Sequence, residues 1–220
     1  CDHPACLAAC PRQAIYKREE DGIVLVDQER CRGYRECIQA CPYKKVFYNL
    51  VTRTSEKCIA CFPRVENGDV ALCVESCIGK IRLHGFLTTQ APPREDNPFD
   101  YIVKIRKLAL PLYPQFGTGP NVYYIPPIHV PNSYLSQMFG PGVQEAKDMY
   151  RNVPNDPTLL GALLLFGSTN RIIDRFEIQG NQAVGWDLTG AEVARVPITE
   201  PTFIRKHFDI VHNVYRHNTT

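Results

Sequence analysis

Several things are scarce in this 220-residue chain, and each scarcity excludes something. Net charge is only +2, from 25 Lys and Arg against 23 Asp and Glu. No basic tract runs five residues, so a nucleic-acid footprint is not expected. Long apolar runs are missing as well. The longest, Leu159–Phe166, is too short to cross a bilayer, so no direct membrane span is expected. The opening residues carry no signal-peptide pattern. A nucleophile elbow, a phosphate loop and a dinucleotide fingerprint are also absent, so no catalytic residue is assigned. Hydrophobic residues at 44% and charged residues at 22% are ordinary for a globular protein, which excludes wholesale disorder, collagen and coiled coil. Cysteine is missing from residues 78–220, and that absence divides the chain in two.

All 10 cysteines lie within residues 1–77, at Cys1, Cys6, Cys10, Cys31, Cys37, Cys41, Cys58, Cys61, Cys73 and Cys77. A disulfide framework suits small chains that lack a core, and this chain is large. Structural zinc is the stronger rival, because Cys58-x2-Cys61 and Cys73-x3-Cys77 could close one tetrahedral site. Such a site would make the chain a zinc-stabilised interaction module.

The first six cysteines point to iron–sulfur clusters instead. Cys6-x3-Cys10-Pro11 and Cys37-x3-Cys41-Pro42 are two copies of the ending of a bacterial ferredoxin motif, about thirty residues apart. In that motif the last cysteine ligates the other cluster. Crossed pairing assigns Cys10, Cys31 and Cys37 to one cluster and Cys1, Cys6 and Cys41 to another. The first of these sites is short of one thiolate, because Tyr34 stands where the ferredoxin spacing puts a cysteine. A three-ligand site favours [3Fe–4S]; a four-iron cluster with a non-cysteine ligand, packed beside Tyr34, is the other reading. Under the same rule Cys58, Cys61 and Cys73 need one outside cysteine, and Cys77 needs three. The chain opens at Cys1, inside a motif, and is expected to be part of a longer protein with a further ferredoxin-type motif upstream.

Lone histidines are more often structural than ligating, and His3, His84 and His129 are read that way. Arg32, Arg35, Lys44, Lys45, Lys57, Arg64 and Arg82 lie near the ligands in sequence. They either raise cluster potentials or form a solvated face.

The motifs carry a resemblance. Cys1-Asp2-His3-Pro4-Ala5-Cys6, Cys10-Pro11, Ala14–Val24, Cys31-Arg32-Gly33-Tyr34, Cys41-Pro42-Tyr43-Lys44-Lys45 and Ser55-Glu56-Lys57-Cys58-Ile59-Ala60-Cys61 run in order through residues 1–87. This stretch resembles the iron–sulfur β subunit of respiratory molybdenum oxidoreductases of the dimethyl-sulfoxide-reductase superfamily. That family includes nitrate, perchlorate, chlorate and selenate reductases, nitrite oxidoreductase and ethylbenzene dehydrogenase. The stretch from Pro111 to Pro131 looks most like the nitrite-oxidoreductase and perchlorate-reductase branch.

The resemblance implies an electron-transfer subunit with three [4Fe–4S] clusters and one [3Fe–4S] cluster, the latter at the site with Tyr34. Four such clusters take fifteen cysteines where ten are present, so five are expected outside these 220 residues. It also implies a molybdenum cofactor in a separate α subunit and a haem-bearing γ subunit or membrane partner. The cluster that uses Cys77 is expected at the α-subunit end. The expected location is a membrane-associated complex, on the periplasmic side in preference to the cytoplasmic face.

The fold expected is α+β: a ferredoxin-like cluster domain over residues 1–87, a linker over 88–98, and a mixed, Pro-rich carboxy-terminal extension over 99–220. Patterning predicts short helices over Ala9–Tyr16 and Ala71–Lys80, and strands over Gly22–Asp27, Val46–Tyr48 and Ile81–Leu87. Beyond the linker it predicts a helix over Tyr101–Leu110 and an extended arm over 111–131, which holds six prolines. The arm is expected to grip a partner subunit, or else to pack on the chain's own core. Helices follow over Ser133–Arg151, broken near Gly140, and over Asp156–Phe166, then hairpins over 171–198.

Overall fold

The chain folds as short helices and small antiparallel sheets, an α+β arrangement. The computed structural model describes residues 1–89, 92–199 and 206–217. Residues 90 and 91, in the expected linker, lie outside the described residues.

Helix α1 spans Ala5–Ala8, one turn earlier than the helix predicted over Ala9–Tyr16. Pro11 cannot donate to an earlier carbonyl, and Gln13 adopts φ 50, so helix cannot continue there. The chain instead enters strand β1, Ile15–Lys17, paired antiparallel with β2, Val24–Val26, with Ile15 opposite Val26. After α2, Glu36–Ala40, a second hairpin pairs β3, Val46–Asn49, with β4, Thr54–Lys57. The turn is set by Asn49, whose Oδ1 accepts from the Val51 and Thr52 amides at 2.8 and 3.3 Å.

Helix α3 covers Phe62–Val65 and α4 covers Leu72–Glu75. The helix predicted over Ala71–Lys80 is therefore a single turn, capped at Ser76, and Cys77 lies beyond it. No strand forms over Ile81–Leu87. Side chains take the place of a ladder there. His84 Nδ1 accepts from the Ala71 amide at 3.0 Å, and Asn97 Nδ2 donates to the Phe86 carbonyl at 3.2 Å.

The segment after residue 91 is anchored. Arg94 reaches Asp96 and Asp174, at 3.0 and 3.2 Å, and Asn97 caps helix α5, Pro98–Asp100. That helix runs into one π-type turn, Tyr101–Ile105, closed by the Arg106 amide on the Tyr101 carbonyl at 2.8 Å. The helix predicted over Tyr101–Leu110 thus stops at Ile105, and Lys107 at φ 53 breaks it.

Strands β5, Leu110–Pro111, and β6, Tyr123–Tyr124, bracket the proline-rich arm. The arm lies over the first cysteine motif. The Asp2 and His3 amides donate to the Gly119 and Thr118 carbonyls at 2.7 and 3.0 Å, and Tyr43 Oη meets Thr118 Oγ1 at 2.5 Å.

Helices α6, Asn132–Phe139, and α7, Val143–Arg151, are separated at Gly140, as predicted. Helix α8, Pro157–Ser168, is capped by Asp156, which accepts from the Leu159 amide at 3.0 Å. It packs on a meander of β7, Arg175–Gln179, β8, Gln182–Trp186, and β9, Glu192–Pro197. Leu159, Leu165, Ile173, Phe176 and Ala183 form the centre of that core. Gly161 lets the helix approach, because a Cβ there would meet Ile178 Cδ1 at 2.8 Å. A last hairpin joins β10, Lys206–Asp209, and β11, Val214–His217.

Candidate metal centre

All ten cysteines are free thiols. Among the described residues, no three His, Cys, Asp or Glu side chains form a single-ion site.

The cysteines sit in a repeated turn. Cys6, Cys37 and Cys73 are each the second residue of a short helix, α1, α2 and α4. Cys10, Cys41 and Cys77 follow four residues later, just past those helices. The next turn is then closed the same way each time. The amides of Gln13, Lys44 and Lys80 donate to the carbonyls of Cys10, Cys41 and Cys77 at 3.0, 3.1 and 3.1 Å. Those three residues are left-handed, at φ 50, 53 and 47. The following amide turns onto the sulfur. Ala14 N donates to Cys10 Sγ at 3.3 Å and Lys45 N to Cys41 Sγ at 3.4 Å.

Two copies were legible as Cys-Pro endings. The third escaped that signature because Ile78 stands where Pro11 and Pro42 do. The Cys58-x2-Cys61 loop uses a related device. Ala60 and Cys61 are both left-handed, and the Ala60 amide donates to Cys58 Sγ at 3.3 Å.

An amide aimed at sulfur favours thiolate over thiol, and thiolates are what soft iron–sulfur cores bind. The effect is clearest at Cys77, which is held below the usual thiol range, first by the Ile81 amide and then by the Arg82 amide and charge. Cys6 goes the other way, because burial raises it and the neighbouring Cys41 adds to the rise. Metal would supply the positive charge that this buried pair lacks.

Cys10, Cys31 and Cys37, predicted to act together, line one small pocket of ≈ 20 Å³ along with Tyr34, Gly33 and Ser55. Tyr34 is 61% exposed, at the mouth, while Cys37 and Ser55 are buried. The Ser55 amide donates to Cys31 Sγ at 3.3 Å, and Cys37 Sγ lies 3.4 Å from Ser55 Oγ. Cys6, Cys37 and Cys41 share a core with Ile15, Val24 and Val46. Cys61 packs instead against Val65, Val70, Val74 and Ile172. Cys58 and Cys73 are exposed.

His84 is structural, with its ring accepting a backbone amide and its pKa lowered by burial. Arg32, Arg35, Lys44, Lys45 and Arg82 are solvent-exposed. Lys57 is half-buried and donates to the Val24 and Cys58 carbonyls. Its pKa is lowered by burial, against the pull of the Cys58, Cys6 and Cys41 thiols.

Comparison with known proteins agrees with this geometry. The 4Fe-4S dicluster domain family matches residues 1–86. Selenate reductase subunit beta of Thauera selenatis is 48% identical over 163 residues, covering 66% of this chain and 48% of the relative. Respiratory nitrate reductase subunit beta of Haloferax mediterranei is 48% identical over 169 residues, covering 67% and 47%. Residues 1–86 belong to the 4Fe-4S dicluster family, and the chain is similar to the β subunits of these complexes. Dimethylsulfide dehydrogenase subunit beta of Rhodovulum sulfidophilum is also 48% identical, over 161 residues, covering 66% and 48%. The chain spans about half the length of the curated relatives it matches.

A 4Fe-4S dicluster domain implies 4Fe–4S clusters as its cofactors. The thiols fit that role, since they sit in amide-lined turns that suit thiolates. The residue that sequence reasoning missed is Ser55. It had been noted only as part of a motif, and nothing short of the β3–β4 register brings it to Cys31 and Cys37.

Proposed function

We propose that this chain relays single electrons between a molybdenum-containing α subunit and a haem-bearing γ subunit or membrane partner. The observation that carries the reading is the pocket where Cys10, Cys31 and Cys37 converge with Tyr34 in place of a fourth thiol. These three ligate a [3Fe–4S] cluster. Cys1, Cys6 and Cys41 ligate a [4Fe–4S] cluster, Cys58, Cys61 and Cys73 a second, and Cys77 a third. The ligands that complete these sets come from outside the ten cysteines present. Bound clusters supply one-electron chemistry at potentials set by ligation, hydrogen bonds and burial.

The chain's own residues do the rest. The three repeated turns present thiolates and aim amides at sulfur. The hairpins β1–β2 and β3–β4, with Val24, Ile15 and Val46, keep water from the inner thiols. The proline-rich extension braces the first motif through the Gly119 and Thr118 carbonyls, and the second through the Thr118 hydroxyl on Tyr43. The cluster that uses Cys77 lies at the α-subunit end and the three-iron cluster at the far end. No described helix is long and apolar enough to cross a membrane. A periplasmic complex is the location proposed.

A nitrite oxidoreductase or nitrate reductase complex is the setting proposed, with perchlorate, chlorate, selenate or ethylbenzene chemistry as alternatives. The names of similar relatives span selenate, dimethylsulfide, chlorate and nitrate, in keeping with a chain whose residues touch no substrate.

EPR of the oxidised, purified complex tests the reading. A near-isotropic three-iron signal is expected, and Tyr34→Cys should convert that site to a four-iron cluster of lower potential. A colourless protein with stoichiometric zinc and no acid-labile sulfide would overturn it.

A further inference from the structure

Ser55 touches two thiols of the proposed three-iron site and is 1% exposed. Its amide donates to Cys31 Sγ at 3.3 Å, and its hydroxyl lies 3.4 Å from Cys37 Sγ. We infer that the Ser55 hydroxyl sets the potential of this cluster upward, through a hydrogen bond to Cys37 Sγ. The inference rests on the ligand set proposed above.

The direction of the bond follows from ligation. As a free thiol, Cys37 donates to Ser55 Oγ. As a ligand, Cys37 has no proton, so the only hydrogen available between the two atoms is the serine's. The hydroxyl then donates to sulfur. A donor on a cluster thiolate withdraws electron density and stabilises the more negative, reduced state more than the oxidised one. One electron enters the cluster and no proton leaves Ser55, so the effect is purely on potential.

Position makes the bond persistent. Ser55 is fixed in β4 opposite Tyr48, and Gln28 Nε2 donates to its carbonyl at 3.1 Å. Among the described residues no other group bonds to its Oγ. It lines the same pocket as Tyr34 but is buried where Tyr34 is exposed. Its bond also differs in kind from the others at this site. Cys10 and Cys31 each receive a backbone amide, from Ala14 and from Ser55 itself. Those donors come with the fold. The donor to Cys37 alone is a side chain, so it alone can be removed with the backbone left in place.

The test is a mediated redox titration of the three-iron EPR signal in the purified complex, comparing wild type with Ser55→Ala and Ser55→Thr. At the wild-type midpoint, Ser55→Ala should raise the oxidised-to-reduced ratio by roughly tenfold, equivalent to about 59 mV for one electron. Ser55→Thr keeps the hydroxyl and should stay within about twofold of wild type. A second readout is pulsed ENDOR after exchange into deuterium oxide. An exchangeable coupling should be present in wild type and Ser55→Thr and absent from Ser55→Ala. If Ser55→Ala does not assemble the cluster, Ser55→Val, which matches Ser55→Thr in shape but carries no hydroxyl, takes its place in both measurements. A full-strength signal with an unchanged midpoint in the donor-depleted variant would overturn the inference. So would retention of the same exchangeable coupling. Absence of a three-iron signal from wild type would instead overturn the ligand set beneath it.

Discussion

The cysteine-bearing region and the region after residue 97 bury their interiors differently. In the first, the core of residues 1–57 is Cys6, Ile15, Val24, Cys37, Cys41 and Val46, so half of it is thiol, while Val65, Val70, Ala71 and Val74 pack apart from it on Ile172. Its strands are three or four residues long and lie in two separate hairpins. In the second, Ile102, Leu108, Leu159, Leu165 and Ile173 are all at most 2% exposed and pack a helix on a three-stranded sheet. Two-stranded hairpins are marginal by themselves, whereas a helix on three strands can sustain its own fold. Residues 1–57 therefore have little apolar core of their own, and the second region is a conventional apolar core.

Removing the clusters should break this comparison most sharply. Binding and folding share one free energy in a metal-held module. After chelation of the purified complex, amides of residues 1–57 should exchange faster by roughly 10³-fold or more, and those of β7, β8 and β9 by no more than about threefold. Uniform acceleration across both regions, read by hydrogen-exchange mass spectrometry, would contradict the division.

The converse substitution is Leu165→Ala, at a fully buried position in α8. It should cost about 2–5 kcal/mol in denaturant unfolding of the second region. The cluster EPR signals should keep their shape and intensity. A changed three-iron line would show that the regions are not separable.

Gly33→Ala sharpens the first region alone. Gly33 is at φ 68, and a Cβ would lie 2.6 Å from the Arg53 carbonyl oxygen. The loop between Cys31 and Cys37 crosses the β3–β4 turn at that point. The strain should cost roughly 1–3 kcal/mol and diminish the three-iron signal, with thermal unfolding of the second region unmoved. An undiminished signal would mean that the loop has room to shift.

The smallest expected effect lies at the turn after β8. Asp187 is held below the usual carboxylate range, first by the Thr189 hydroxyl, then by the Thr189 and Ala191 amides and Arg171. A depressed carboxyl contributes stability that is complete above its unfolded pKa and is lost as pH falls through its folded value. Below about pH 4 that contribution should fade in wild type and be missing at every pH in Asp187→Asn. Fluorescence of the single tryptophan, Trp186, reports on the adjacent strand during denaturant titrations at each pH.

Legibility in the sequence followed the range of the interaction. The split near Gly140, the helix from Asp156 and the hairpins over 171–198 were readable because turn and helix-end chemistry is local. Strand β4 was not, because Thr54–Lys57 is polar and holds its place by pairing with β3. The helix placed over Ala9–Tyr16 failed for a related reason. Its apolar residues serve the β1–β2 hairpin and the thiol core, a long-range demand that outweighs helical pattern.

By itself, the order and spacing of the cysteines made the internal repeat and the 4Fe-4S dicluster character of residues 1–86 legible, because metal-binding loops are short and their spacing is written in the chain. Only the tertiary structure decided which donors surround each thiol. It revealed a third copy of the cysteine turn at Cys73 and Cys77, where the geometry persists without proline. It also carried Ser55 across 18 residues to Cys37. Hydrogen bonds to sulfur depend on where a strand lies beside a loop, and that placement is settled by hairpin register and packing rather than by any local motif.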